Sequence, residues 1–255
     1  MRILICTEEA PGMQSAVWLG VELARRLEAR ATLLAVMDDV DDQARENLRQ
    51  TRRWLRRELE LEAFVAVTEG YRVDEVVLLR EFDLVLLEGF DLDRATELLP
   101  QAPPPHILFV RPGSRSVIER ILLCTDCTFA SSATVELTTR LAAVLNAEVT
   151  VLLACQDAEP GALVEQEKTL QEAGLRYSFR RGEGELPEEV MRAHAETGYD
   201  LTVLASPGGW AEAGQVRDLL GTVQGSFLLT TRTVQPGLLE RVRAWLGDLS
   251  LTRAS

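Results

Sequence analysis

The sequence predicts an α/β protein made of two tandem copies of one unit, each a five-stranded, mostly parallel sheet with helices on both faces. Three observations carry this. Residues 2–39 align without a gap on residues 120–157, with 14 of 38 positions identical, and self-similarity on this scale fixes architecture before any local reading does. The correspondence then continues: Glu69-Gly70 and Glu75-Val76 match Glu183-Gly184 and Glu189-Val190, and Phe82-Asp83-Leu84 matches Tyr199-Asp200-Leu201. Lastly, each copy alternates short apolar runs with helical stripes, the pattern of a parallel sheet joined by crossover helices.

The elements follow in order. Arg2 to Cys6 and Ile121 to Cys124 are short apolar runs suited to a buried parallel strand. Val17, Val21, Ala24 and Leu27 form one apolar helical stripe, and Val135, Leu137, Leu141, Val144 and Leu145 form its counterpart. Second strands run from Ala31 to Val36 and from Val149 to Leu153, leading into helices at about Gln43 to Glu58 and Ala162 to Ala173. Third strands, Glu62 to Val67 and Arg176 to Arg180, precede short helices at Val73 to Arg80 and Pro187 to Ala195, the latter opening on a proline that a first turn tolerates. Fourth strands, Asp83 to Leu87 and Leu201 to Leu204, are apolar after an acidic start. A helix and strand close each copy, at Asp91 to Leu98 with His106 to Val110, and at Ala211 to Leu220 with Phe227 to Thr231. The units therefore span 1–112 and 117–234, with Pro112 to Ser116 as linker and 235–255 as a tail in which Leu238 to Leu246 reads as an amphipathic helix.

Composition narrows the function. A formal charge of −13 opposes nucleic acid, whose binding rests on cations that displace counterions. The arginines from Arg49 to Arg57 are offset by Glu46, Glu58, Glu60 and Glu62 and read as a solvated helix face. No run approaches the roughly 20 apolar residues of a membrane span, and the N-terminus lacks a signal-peptide core, so the expected compartment is the cytoplasm. Four cysteines in 255 residues make no disulfide framework. Cys124 and Cys127 have C-x-x-C spacing, but Cys124 repeats Cys6, which has no such partner, so a buried apolar role explains it; Cys127 and Cys155 fall near one rim as potential sensor thiols. His106 and His194 lie in different copies, apart from any nucleophile or metal cluster, and no phosphate-loop, dinucleotide or nucleophile-elbow motif occurs. The expectation is a protein that is not an enzyme.

The run I-L-(I/L)-C-T-(E/D), the (F/Y)-D-L strand and the closing P-x-I-L-F-V-R at 105–111 together resemble the universal stress protein family over nearly the whole chain. The resemblance implies the strand order 3-2-1-4-5 in each copy, with a crevice where strands one and four part. Its walls would be Thr7 to Ala10 with Glu88 to Phe90, and Asp126 to Thr128 with Ser206 to Trp210. Nucleotide-binding members carry an acidic residue after strand one and, after strand four, G-x-x-G, nine residues, then G-(S/T). The second copy matches in part: the implied positions are Asp126, Ala154, Gly208, Gly209, Gly221 and Thr222, with Ala211 replacing the second glycine. Only four residues separate Thr222 from Phe227, so the helix that should follow does not fit and Ala211 to Leu220 must supply it. The first copy has Gly89 as its sole glycine between strands four and five, and Glu8, Glu9 and Glu88 would oppose a phosphate there. The reading is a stress-linked regulator acting through protein contacts, with no cofactor; ATP or AMP in the second copy is the alternative. Its two copies would pair as an intramolecular pseudo-dimer, with a homodimer and an unidentified protein partner as further expectations.

Overall fold

The computed structural model describes residues 1–7, 14–37, 42–58, 64–69, 82–88, 106–113, 117–125, 132–153, 160–206, 219, 221, 223 and 225–231. In the first half these form β1 (Arg2–Thr7), α1 (Ser15–Arg26), β2 (Arg30–Met37), α2 (Asp42–Glu58), β3 (Phe64–Glu69), β4 (Leu84–Glu88) and β5 (His106–Val110). The second half contributes β6 (Arg120–Thr125), α3 (Ser132–Leu145), β7 (Glu148–Leu153), α4 (Pro160–Glu172), β8 (Tyr177–Arg181), α5 (Leu186–Thr197), β9 (Leu201–Ser206) and β10 (Ser226–Thr231). The expected helices at 73–80, 91–98 and 238–246 lie outside the described residues.

The strands form one ten-stranded sheet in the order β3-β2-β1-β4-β5-β10-β9-β6-β7-β8. Each half thus runs 3-2-1-4-5, as the resemblance implied, but the halves are fused edge to edge. Only the joint is antiparallel: Phe109 faces Phe227, Leu108 faces Leu228 and Ile107 faces Leu229. This pairing removes the β5 and β10 edges, which would otherwise present unpaired backbone groups. The seam extends above the sheet, where the Arg26 guanidinium on α1 donates to the Val144 carbonyl on α3 at 2.5 Å.

Burial on both faces explains the uninterrupted apolar strands. Ile3, Ile5, Leu84 and Leu86 join Val17, Leu23, Val149 and Leu201 in a cluster that runs through both halves on the α1–α3 side. Leu4, Cys6, Val85, Leu87, Leu122 and Cys124 fill the opposite side with Val190 and Ala193 of α5. The α1 stripe is wider than its periodicity suggested, since Ala16, Leu19, Gly20 and Leu23 are buried as well. Gly20 is where the helix meets the sheet: a Cβ there would stand 2.5 Å from Ile5 Cδ1.

The two halves share local detail. After α1 and α3, Glu28 and Asn146 adopt φ of 50° and 55°, while Ala29 and Ala147 donate to Ala24 and Ala142 at 2.8 and 2.9 Å. This left-handed helix ending returns the chain into β2 and β7. The aspartates before β4 and β9 act as latches: Asp83 Oδ2 accepts from the Arg2 N–H at 2.7 Å, and Asp200 Oδ2 accepts from Glu119 and Arg120, both at 2.9 Å. The repeated (F/Y)-D-L segment is therefore explained by structure.

Candidate functional site

In an open parallel sheet the crevice lies beyond the carboxyl ends of the strands, where neighbours are entered from opposite directions. Here that place falls between β1 and β4, where Thr7 stands in register with Glu88, and again between β6 and β9. The two halves furnish it differently.

In the first half, helix α1 begins after Gln14, an N-cap whose side chain makes no capping bond, and its first turn carries no acidic residue. Such a terminus leaves backbone N–H groups without acceptors and a partial positive charge. Glu88 supplies both needs from β4. Its side chain is buried; Oε1 accepts from the Ser15 N–H at 3.2 Å and Oε2 from the Ala16 N–H at 2.5 Å. Ser15 carries the connection onward, its hydroxyl accepting from the Gly113 N–H at 3.1 Å beyond β5. Glu88 does not stand as an open wall of the crevice, as the sequence reading had it. It is turned onto the helix and fills the position an external anion would take.

In the second half the position in register with Glu88 is Ala205. Hydroxyl groups take over instead. Thr134, in the first turn of α3, is hydrogen-bonded to Thr230, whose hydroxyl also reaches the Leu204 carbonyl at 3.2 Å. Thr138 donates to the Thr134 carbonyl at 2.8 Å. All three threonines are buried. Thr134 and Thr230 take the places of Ala16 and Val110 of the first half, so a hydroxyl pair stands where the first half has two apolar side chains beside its carboxylate.

Of the residues implied for nucleotide binding, Asp126, Ala154, Gly208, Gly209 and Thr222 lie outside the described residues. Gly221 is described: it is exposed and helical, and the Val223 N–H donates to the Leu219 carbonyl at 2.9 Å across it. A Cβ on Gly221 would meet nothing within 4 Å.

The other sequence candidates take structural places. Cys6 and Cys124 are free and fully buried, and burial pushes both thiols far up, which removes thiolate reactivity; Cys127 and Cys155 lie outside the described residues. His194 Nε2 lies 2.7 Å from the Thr202 hydroxyl and its ring meets Tyr199 edge-on, with burial lowering its pKa. His106 Nδ1 is buried without a hydrogen-bond partner among the described residues; burial lowers its pKa, opposed by Asp83. No group of three or more metal-ligating side chains occurs among the described residues, and no helix among them is long and apolar enough to cross a membrane.

A groove of about 360 Å³ lies at the other end of the strands, lined by Arg120, Glu148, Thr150, Ser178, Arg180 and Tyr199 among others. Its arginines are engaged: Arg120 donates to the Thr197 carbonyl at 2.6 Å, and Arg180 makes a two-pronged pair with Glu196 at 2.6 and 3.0 Å.

The sequence reading missed Ser15, Thr134 and Thr230. The available signal was a difference between the copies: the fourth strand ends on glutamate in one and continues through alanine in the other.

No protein-family model and no curated protein matches the chain. Among solved structures, a universal stress protein from Archaeoglobus fulgidus DSM 4304 superposes with a TM-score of 0.66 at 11% identity, over 91% of this chain and 96% of that one. A universal stress protein in complex with cAMP matches at 17% identity with a TM-score of 0.38, over 46% of this chain and 99% of its own. One from Burkholderia pseudomallei gives 17% and 0.35, over 45% and 97%. At these identities the likeness is one of fold, and the first match establishes it over nearly the full length: the chain has the fold of the universal stress proteins.

Proposed function

We propose that this chain is a universal-stress-protein-type regulator that acts through protein contacts, without catalysis, and whose first half functions with no bound nucleotide. One observation carries the proposal. Glu88 occupies the α1 N-terminus with its own carboxylate, and a phosphate arriving there would have to displace a buried, doubly hydrogen-bonded anion and sit beside its charge. Two like charges about 4 Å apart repel by about 4 kcal/mol at an effective dielectric constant near 20. Among the described residues the hydroxyl that meets a base, Thr202 at His194, is fully buried, which takes it away from any substrate.

A second reading concerns the other half. Ala205 replaces Glu88, and Thr134 and Thr230 replace charge with hydroxyls, so nothing described there opposes an anion. ATP or AMP held by Asp126, Ala154, Gly208, Gly209, Gly221 and Thr222 is the form this reading takes.

Calorimetry with Mg²⁺·ATP and with AMP, alongside phosphate-release measurements, separates the readings. No binding supports the first, one site per chain the second, and two sites sink the account of Glu88. Phosphate release dependent on the protein would overturn the non-catalytic assignment.

A further inference from the structure

We infer that β8 is a docking edge for an extended acidic peptide, which joins the sheet as an eleventh strand. The inference rests on the protein-contact reading above and names a surface and a partner for it.

β8 ends the sheet, pairing with β7 on one side only among the described residues. Two hydrogen bonds fix which backbone groups face inward. The Val149 N–H donates to the Arg176 carbonyl at 3.0 Å, and the Gly182 N–H donates to the Leu153 carbonyl at 2.7 Å. In a strand paired on one side, alternate residues turn both backbone groups toward the neighbour. Residues 176, 178, 180 and 182 therefore face β7, and the backbone groups of Tyr177, Phe179 and Arg181 point outward. An open edge of this kind is the template for strand addition.

The side chains say what would fit. Arg176 to Arg181 reads R-Y-S-F-R-R, three arginines with no acidic residue, in a chain of net charge −13. Arg180 is held by Glu196, whereas Arg176 and Arg181 make no ion pair among the described residues. Side chains alternate across a strand, so Arg181 shares a face with Tyr177 and Phe179 while Arg176 lies on the other; Phe179 is 39% exposed and meets Tyr177 edge-to-face at 5.8 Å, offering an apolar contact beside Arg181. A second copy of the chain would bring three more arginines against these three, and like charges opposed across strands destabilise pairing. Carboxylates on both faces of an incoming strand meet Arg181 on one side and Arg176 on the other. The negative charge elsewhere does not outweigh this, since it is screened beyond about 8 Å at physiological ionic strength while the paired strand lies at about 5 Å.

The test uses the full chain and a capped ten-residue peptide repeating valine-valine-glutamate-glutamate, which carries carboxylates on both faces of a strand, with its valine–lysine counterpart as control. Hydrogen exchange is read by NMR at the Tyr177, Phe179 and Arg181 amides. These should exchange fast in the free chain and slow at least tenfold with the acidic peptide, not with the basic one. Phe179→Pro should abolish the effect while leaving the fold, because a proline is tolerated where the N–H faces outward; Arg176→Glu with Arg181→Glu should transfer the preference to the lysine peptide. Slow exchange at these amides in the free chain, equal protection by both peptides, protection surviving Phe179→Pro, or a dimer that disappears with that variant would each overturn the inference. Nucleotide calorimetry reads the protein-contact proposal independently, so either can fail without the other.

Discussion

Replacing Glu88 tests the reasoning at its centre. The side chain is 8% exposed and its two oxygens accept from two backbone N–H groups at 3.2 and 2.5 Å. In Glu88→Ala the buried Ala16 donor loses its partner at about 1–3 kcal/mol, the part-buried Ser15 donor at less, and the helix loses an anion worth about 0.3–1 kcal/mol at its terminus. A loss of about 3 kcal/mol is expected, and with about 2–4 °C per kcal/mol for a chain of this length Tm falls by about 6–12 °C. Glu88→Gln keeps one oxygen on the helix and presents an N–H₂ group to the other donor, so its loss should be smaller, about 1–2 kcal/mol. Circular dichroism melts give the stabilities, and exchange at the Ser15 and Ala16 amides places the effect. An alanine variant melting within about 1 °C of the parent, with those amides unchanged, would show that Glu88 is not the cap described.

Four further outcomes follow from the same geometry. Gly20→Val should cost about 1–3 kcal/mol by driving α1 away from Ile5, read as a lower urea midpoint. Asp200→Asn should weaken the latch on Glu119 and Arg120 by about 0.5–1.5 kcal/mol and speed exchange at those two amides, with little change elsewhere. For His106 and His194, the chain's only histidines, burial lowers the folded pKa below the ordinary 6.5. The unfolded chain therefore takes up protons first, and their contribution, complete above pH 6.5, is lost as pH falls below it. A His106→Leu, His194→Leu chain should show a flatter denaturant midpoint between about pH 7 and 5, and an equal slope in both chains would contradict the burial argument. Finally, Cys6 and Cys124 should resist iodoacetamide in the native protein and react on unfolding, as intact-mass spectrometry would register.

Much of the fold was legible because its signals are local or repeated. The apolar fourth strands, the α1 stripe and the 118-residue offset between copies all appear in the sequence, and β1, β2, α2, β4 and β5 fall within about two residues of their expected places. The latches were visible only as a conserved spacing within the chain, since nothing in Asp83 or Asp200 announces that its carboxylate will reach back to Arg2 or Arg120.

What the sequence determined by itself is the unit: hydrophobic periodicity sets helix or strand, and the internal repeat sets how many units there are. Tertiary structure decided how the units meet and what their crevices contain. The antiparallel joining of β5 to β10 depends on backbone groups, which every residue other than proline carries alike, so no side-chain pattern records it. The role of Glu88 depends on a helix terminus 72 residues away in the chain. A carboxylate after an apolar strand reads the same whether it faces solvent, a ligand or a helix, and only the fold brings the Ser15 and Ala16 donors to it.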